Sequence, residues 1–181
     1  VQYAGMFHAV IHARPAPMPL TATLGPLVRG VVEGLVGSAM MVTSSRNSEI
    51  DEIADSAGCR VVVARDWTEG FARAVAISAG APLLVVDTGV ILGQEFWPVL
   101  ADSLPMLADR PASTAPLRSN RLAEILTMRA LRRSRAVSRD QVLLLPGSFA
   151  RKLAQAKTDP WQHRFDARLE ILPVSTRRVP E

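Results

Sequence analysis

The sequence predicts an α/β domain built on a mainly parallel sheet with helices on both faces. Three observations carry this expectation. The first half alternates short apolar runs with stretches of helical periodicity four times over. The links between them are only a few residues long, as strand–helix–strand units allow. One run, Pro82-Leu83-Leu84-Val85-Val86, is apolar throughout, as a central strand covered on both faces must be.

Residues 7–13, Phe-His-Ala-Val-Ile-His-Ala, predict the first strand, ended by Arg14 and Pro15. Pro15, Pro17 and Pro19 delay the next element. Residues 20–35 then place Leu20, Leu24, Leu27, Val28, Val31, Val32 and Leu35 at helical spacing, with Gly34 and Gly37 to close the helix. Residues 39–42 predict a second strand, followed by the polar run 43–48. Ser48 is placed to cap a helix through Asp55 that Gly58 ends. Residues 60–64 predict a third strand, 71–79 an Ala-rich helix stopped by Gly80, and 82–86 the fourth strand. The second half is less regular. Residues 110–116, rich in Pro, Ser and Thr, read as a loop, 117–137 as an Arg-rich helix, 141–145 as a strand, 149–157 as a short helix and 169–173 as a last strand.

The chain has 181 residues, 48% of them hydrophobic and 21% charged, enough for one core and too apolar for disorder. With 11 Gly and the single Cys59, collagen-like and disulfide-framework classes are excluded. No apolar run approaches the roughly 20 residues that span a bilayer. The first residues lack a basic-then-apolar leader pattern. A cytoplasmic, reducing location is the expectation. The net charge of +4 hides a split. Residues 1–109 carry 6 Lys and Arg against 11 Asp and Glu, whereas residues 110–181 carry 15 against 6. Such a basic half suits an anionic partner, though GC-rich codon usage also inflates Arg.

Ligands of open α/β sheets bind beyond the carboxyl ends of the strands. Those ends are Ala13-Arg14, Thr43-Ser44, Ala64-Arg65 and Asp87-Thr88-Gly89. Asp87 is therefore a candidate ligand-binding carboxylate. His8, His12 and His163 have no metal-ligand spacing and read as core or surface residues. Trp67 and Trp97 read as core aromatics, with sugar stacking as the rival role. Missing are a Gly-x-Gly-x-x-Gly turn, a phosphate-binding Gly-x-x-x-x-Gly-Lys loop and a Gly-x-Ser-x-Gly elbow.

In this order of elements the chain resembles family 2 glycosyltransferases of the GT-A fold, especially a small bacterial subgroup. That is a nucleotide-diphospho-sugar transferase architecture. The family's first strand ends in Pro-x-x-Asn before a helix, a stretch here occupied by residues 9–15 and 20–24. Its second strand leads to an Ile-Ala-x-x-x-Gly-x-x-Val-Val segment, matched by Ile53-Ala54-Asp55-Ser56-Ala57-Gly58-Cys59-Arg60-Val61-Val62. Its Ala-rich helix and apolar strand end in Asp-x-Asp, where this chain has Asp87-Thr88-Gly89. A Gly-Asp-Gln segment resembles Arg139-Asp140-Gln141, and a terminal Arg-Arg resembles Arg177-Arg178.

The resemblance implies one GT-A-like domain over residues 1–181. Its nucleotide-binding half would be 7–109 and its basic acceptor-side half 110–181. It implies sugar transfer from a nucleoside diphosphate. Ala13, Arg14, Thr43, Ser44, Asp87, Thr88 and Gly89 would lie at the nucleotide. Asp87 would hold a divalent Mg²⁺ or Mn²⁺ on the diphosphate. Arg177 and Arg178 would clamp the diphosphate or acceptor side, unless they form a solvated tail. Asp140 is the candidate catalytic carboxylate, with a cap or ion-pair role as its rival. Family acceptors are often lipid-linked, so peripheral contact with the inner membrane face joins the expectation and nucleic acid does not. The chain departs from the family at the nucleoside, metal and base positions, and residues 66–70 share little with the family's Gly-Arg-Gly-x-Gln stretch. Thr43 replaces the nucleoside-binding Asp, Gly89 replaces the second metal carboxylate, and no Glu-Asp base pair occurs between Lys157 and Arg168, where Asp159 and Asp166 are the only acids. These departures support the alternative of a catalytically inactive relative that binds a nucleotide, glycan or partner.

Overall fold

The computed structural model describes residues 7–14, 16–107, 110–116, 137–165 and 169–179, and the structural statements concern these. The order is β1 (Phe7–His12), α1 (Pro17–Val32), β2 (Val36–Thr43), α2 (Ser48–Ser56), β3 (Arg60–Val63), α3 (Trp67–Ile77), β4 (Leu83–Asp87), β5 (Val90–Leu92), α4 (Phe96–Leu107), β6 (Ala112–Pro116), β7 (Leu143–Leu145), α5 (Gly147–Gln155) and β8 (Glu170–Arg178). The helix predicted over 117–137 falls, apart from Val137, outside the described residues, as do Pro15, Asp166 and Arg168.

The strands form one sheet in the order β3-β2-β1-β4-β7-β6-β8-β5. The first four are parallel, as the repeated strand–helix pattern requires. Strand β7 then runs antiparallel between β4 and β6, β8 lies parallel to β6, and β5 pairs antiparallel with β8. Only Thr88 and Gly89 separate β4 from β5. The far edge of the sheet is thus tied covalently to its centre, and the end of β8 is brought back beside the end of β4.

Side-chain alternation along the strands feeds two cores. Ala9, Ile11, Leu84, Val86 and Leu144 join the cluster under α1 and α4, with Leu20, Leu24, Phe96 and Trp97. Val10, Val85, Leu143 and Leu145 join the cluster under α3 and α5, with Trp67, Phe71, Leu153, Trp161 and Phe165. Burying side chains of this size stabilises the fold by about 1.5–3 kcal/mol each. Trp97 is therefore core, with its indole N–H donated to the Pro26 carbonyl at 3.0 Å.

Several boundaries differ from expectation. Helix α1 starts at Pro17 instead of residue 20, because a first-turn proline has no intrahelical N–H bond to lose. Gly34 (φ +73°) ends it, while Gly37 lies within β2. Asn47, not Ser48, caps α2, accepting from the Ile50 N–H at 2.7 Å. Helix α3 begins at Trp67, four residues early, because the Asp66 carboxylate accepts from the Glu69 N–H at 2.9 Å. Residues 112–116, read as loop, are strand β6. Its Ser113 and Thr114 are fully buried because Gln141 and the Val142 N–H bond to them. The last strand runs on to Arg178, with an irregularity in register around Pro173 and Val174. Strand β5 and helix α4 occupy a stretch to which the sequence assigned no element.

Candidate functional site

The site begins with a register. In the parallel pair β1–β4, His12 stands directly opposite Asp87, each the last residue of its strand. By alternation both side chains leave the sheet on the face of Val10 and Val85, toward α3 and α5. The peptide that follows is fixed by Thr88. Its hydroxyl donates to the His12 carbonyl at 2.6 Å and accepts from the Arg14 N–H at 3.0 Å. Arg14 is thereby turned back over the strand ends.

Gly89 makes the next turn at φ +87°, a conformation that strains any L side chain. Its N–H donates to the Thr23 hydroxyl at 2.8 Å, and its carbonyl accepts from the Val179 N–H at 2.8 Å. That second bond docks the end of β8, so Arg178 reaches the site from the opposite edge of the sheet.

Asp87 is fully buried. One oxygen faces His12 Nδ1 at 2.9 Å, and the other accepts from Arg14 Nη2 at 2.6 Å and Arg178 Nη2 at 2.9 Å. Burial pushes the carboxyl up. The His12 contact and the charges of Arg14 and Arg178 outweigh it, so Asp87 is held below its ordinary value. Arg178 also donates to Asp140 Oδ1 at 3.0 Å and to the Thr88 carbonyl at 3.2 Å. Burial lowers the Arg178 pKa, but Asp140 and Asp87 raise it by more.

A second chain of contacts backs the first. Arg139 Nη1 lies 2.8 Å from His12 Nδ1, and its Nη2 donates to Asp159 at 2.8 Å. Asp159 also accepts from the Trp67 indole at 3.2 Å and the Trp161 N–H at 3.0 Å. The Arg139 guanidinium lies over Trp161 at 4.9 Å, Trp161 packs on Trp67 at 5.0 Å, and Trp67 on His12 at 4.7 Å. Helix α3 carries Trp67 this close to the sheet because Gly70 faces Val42, where a Cβ would come within 2.1 Å of its Cγ1. The Nδ1 atom of His12 can accept from Arg139 or donate to Asp87, but not both at once, so these two bonds exclude each other.

Of the residues proposed from sequence, Arg14, Asp87, Thr88, Gly89, Asp140 and Arg178 meet here. Ala13 supports them through its N–H on the Val42 carbonyl. Thr43 is buried and donates to the Ser45 carbonyl within its own turn, while Ser44 is exposed at the end of β2. Arg177 is exposed, one residue out of phase with Arg178 on β8. The pair is no solvated tail, since both belong to a paired strand. Sequence reasoning missed His12 and gave no role to Arg139, Asp159 or Trp161. The usable signal for His12 was its place at a strand end with the parity of Asp87.

A dication at Asp87 would have to share two oxygens already facing two guanidiniums and a histidine. Among the described residues, no three His, Cys, Asp or Glu side chains are grouped to hold a metal. This donor set does not fit Mg²⁺ or Mn²⁺, whose sites gather several oxygen ligands.

The order and direction of the strands, with helices flanking the sheet, give an α/β fold of the GT-A type. The particular structures this chain is similar to include glucosyl-3-phosphoglycerate synthase from Mycobacterium tuberculosis. One is its complex with Mn²⁺, uridine diphosphate and glucosyl-3-phosphoglycerate. That match has a TM-score of 0.64 and 15% identity over 98% of this chain and 73% of that one. Another, with Mn²⁺ and uridine-diphosphate-glucose, gives 0.61 and 16%, over 98% of this chain and 72% of that one. A structure described only as a mycobacterial protein gives 0.58 and 17%, over 80% of this chain and 54% of that one. No protein-family model and no curated protein matches the sequence.

Proposed function

We propose that the chain is a glycosyltransferase-type domain that binds a nucleoside diphosphate sugar over the ends of β1 and β4. One observation carries this reading. His12, Arg14, Asp87 and Arg178 converge where sheets of this class bind their ligands, and charged hydrogen-bond donors there suit a diphosphate. The neighbour solved with uridine-diphosphate-glucose supports the ligand class. In this reading the nucleotide lies along Ala13, Arg14, Thr43, Ser44, Thr88 and Gly89, on the acidic half. The basic half, from residue 110 onward, faces the acceptor.

Asp140 belongs to that half and is tied to the strand ends through Arg178. Its Oδ1 is bound to Arg178, and its other oxygen has no hydrogen bond among the described residues, leaving it able to accept a hydroxyl proton. Melting the full chain with UDP-, GDP- and dTDP-sugars tests the reading. At least one is expected to raise the melting temperature in a concentration-dependent way. No shift with any of them overturns it. Nucleotide binding without sugar release, with 3-phosphoglycerate or other hydroxyl acceptors, marks the chain as a binding module.

A further inference from the structure

We propose that Arg139 and Arg178 hold the diphosphate of the donor directly, so that binding needs no divalent cation. The inference rests on the nucleotide-sugar reading and deepens it. Three features of the strand ends carry it.

The first is the saturation of Asp87. Arg14 and Arg178 stand on one oxygen and the His12 ring on the other, so the positions a metal would take are already filled. The second is Gly89. A carboxylate there would complete a metal pair, but the φ of +87° strains an Asp, and the Gly89 carbonyl accepts the Val179 N–H that docks β8. The backbone that delivers Arg178 is the same backbone that disfavours a second acid.

The third is spare donor capacity. A guanidinium has five N–H groups. Arg178 spends one on Asp140, one on Asp87 and one at most on Thr88, which leaves Nε–H and one other. Among the described residues, Arg139 spends one N–H at most on His12 and one on Asp159, which leaves at least three. The side chains of Arg139 and Arg178 are 31% and 25% exposed, so their outer edges face solvent.

Among the described residues, Asp87, Asp140 and Asp159 are the acids beside these cations, and they do not compete for the ligand equally. Asp87 lies beneath the guanidiniums, and Asp159 points back at Trp67 and Trp161. Asp140 is 49% exposed and screened by water. The carboxylates therefore act as positioning residues that hold planar forks open toward an incoming anion. Such charge-assisted donors would also stabilise the charge that gathers on a departing diphosphate.

Calorimetric titration of the full chain with inorganic pyrophosphate and with UDP, in EDTA and then in Mn²⁺, tests this. Both anions are expected to bind in EDTA, with affinity changed less than twofold by Mn²⁺. Arg178→Gln and Arg139→Gln should each weaken binding at least tenfold, while Arg29→Gln, in the exposed Arg29–Glu33 pair at the far end of α1, should not. Arg178→Lys guards against simple unfolding. It keeps the charge on Asp87, should retain most of the melting temperature, and should still lose the fork and about tenfold in affinity. UDP binding that requires Mn²⁺, or is strengthened more than tenfold by it, overturns the proposal and leaves the nucleotide-sugar reading standing. Binding indifferent to Arg178 and Arg139 also overturns it. Arginine-dependent pyrophosphate binding without UDP binding keeps the anion cradle and removes the nucleotide reading. No binding of either anion removes both.

Discussion

Two carboxylates in this protein each stand between two arginines, and they are built differently. Glu69 accepts from Arg65 at 2.9 Å and Arg73 at 2.7 Å, both i±4 neighbours at the start of α3. Hydrogen bonds from Arg65 hold it down to about 2. Asp87 accepts from Arg14 and Arg178, which are 73 and 91 residues away and arrive on different strands. Arg65 is 88% and Arg73 55% exposed, while Asp87 is fully buried. The contact chemistry is the same in both. The helix pair reinforces one local element, whereas the Asp87 cluster joins segments that are far apart in the chain.

Truncation should break this comparison most sharply. Asp87→Ala leaves Arg14 and Arg178 facing each other without the carboxylate between them. Losing one partner of such a buried set costs about 3–5 kcal/mol. Urea unfolding at neutral pH should show that loss for Asp87→Ala and no resolvable midpoint change for Glu69→Ala. Equal effects would mean that burial does not separate the two sites.

Asp159 stands next. It accepts from Trp67, from the Trp161 backbone and from Arg139. Asp159→Asn keeps an acceptor oxygen but removes the charge that Arg139 faces, at about 1.5–3 kcal/mol for a charged hydrogen bond. The same urea series measures it. Trp fluorescence should shift with the variant, because Trp67 and Trp161 both touch this group. A variant as stable as the parent would detach Asp159 from the cluster.

Acid gives a smaller but directional effect. Asp87 has a depressed pKa in the fold, so its contribution is complete above the unfolded value of about 3.9 and is lost as pH falls through the folded value. Unfolding free energy should therefore fall from about pH 4 downward, and the fall should be shallower in Asp87→Ala. Glu69 has the same sign, between about 4.3 unfolded and about 2 folded. Its arginines are solvated, so the acid limb of Glu69→Gln should overlay the parent.

The contrast also explains what the sequence could tell. The parallel strands were legible because each apolar run and its following helix are local signals. The start of α3 is set by the Asp66 cap, whereas the apolar period that predicts the helix begins only at Phe71. Asp87 was found by its place at a strand end. Its neighbours were not, because the lateral order β1-β4 and the return of β8 through Gly89 are tertiary facts. Arg178 looked like half of a charged tail until the pairing of Val90 with it was known. Strand β6 hid for a related reason. Its Ser113 and Thr114 look like turn residues, and only Gln141 and Val142, nearly 30 residues on, make their burial affordable.

Salt offers the finest test of the same distinction. Solvated ion pairs are screened once the Debye length falls from about 30 Å at 0.01 M to about 3 Å at 1 M. Glu69→Gln should lower the urea midpoint slightly at the dilute end and merge with the parent at the concentrated end. The deficit of Asp87→Ala should persist across the series, because water and ions do not reach that carboxylate. A Glu69→Gln deficit that survives high salt would show that the Arg65–Glu69–Arg73 set acts through packing of α3 as well as through charge. The separation between a decorated helix and a built site would then narrow to geometry alone.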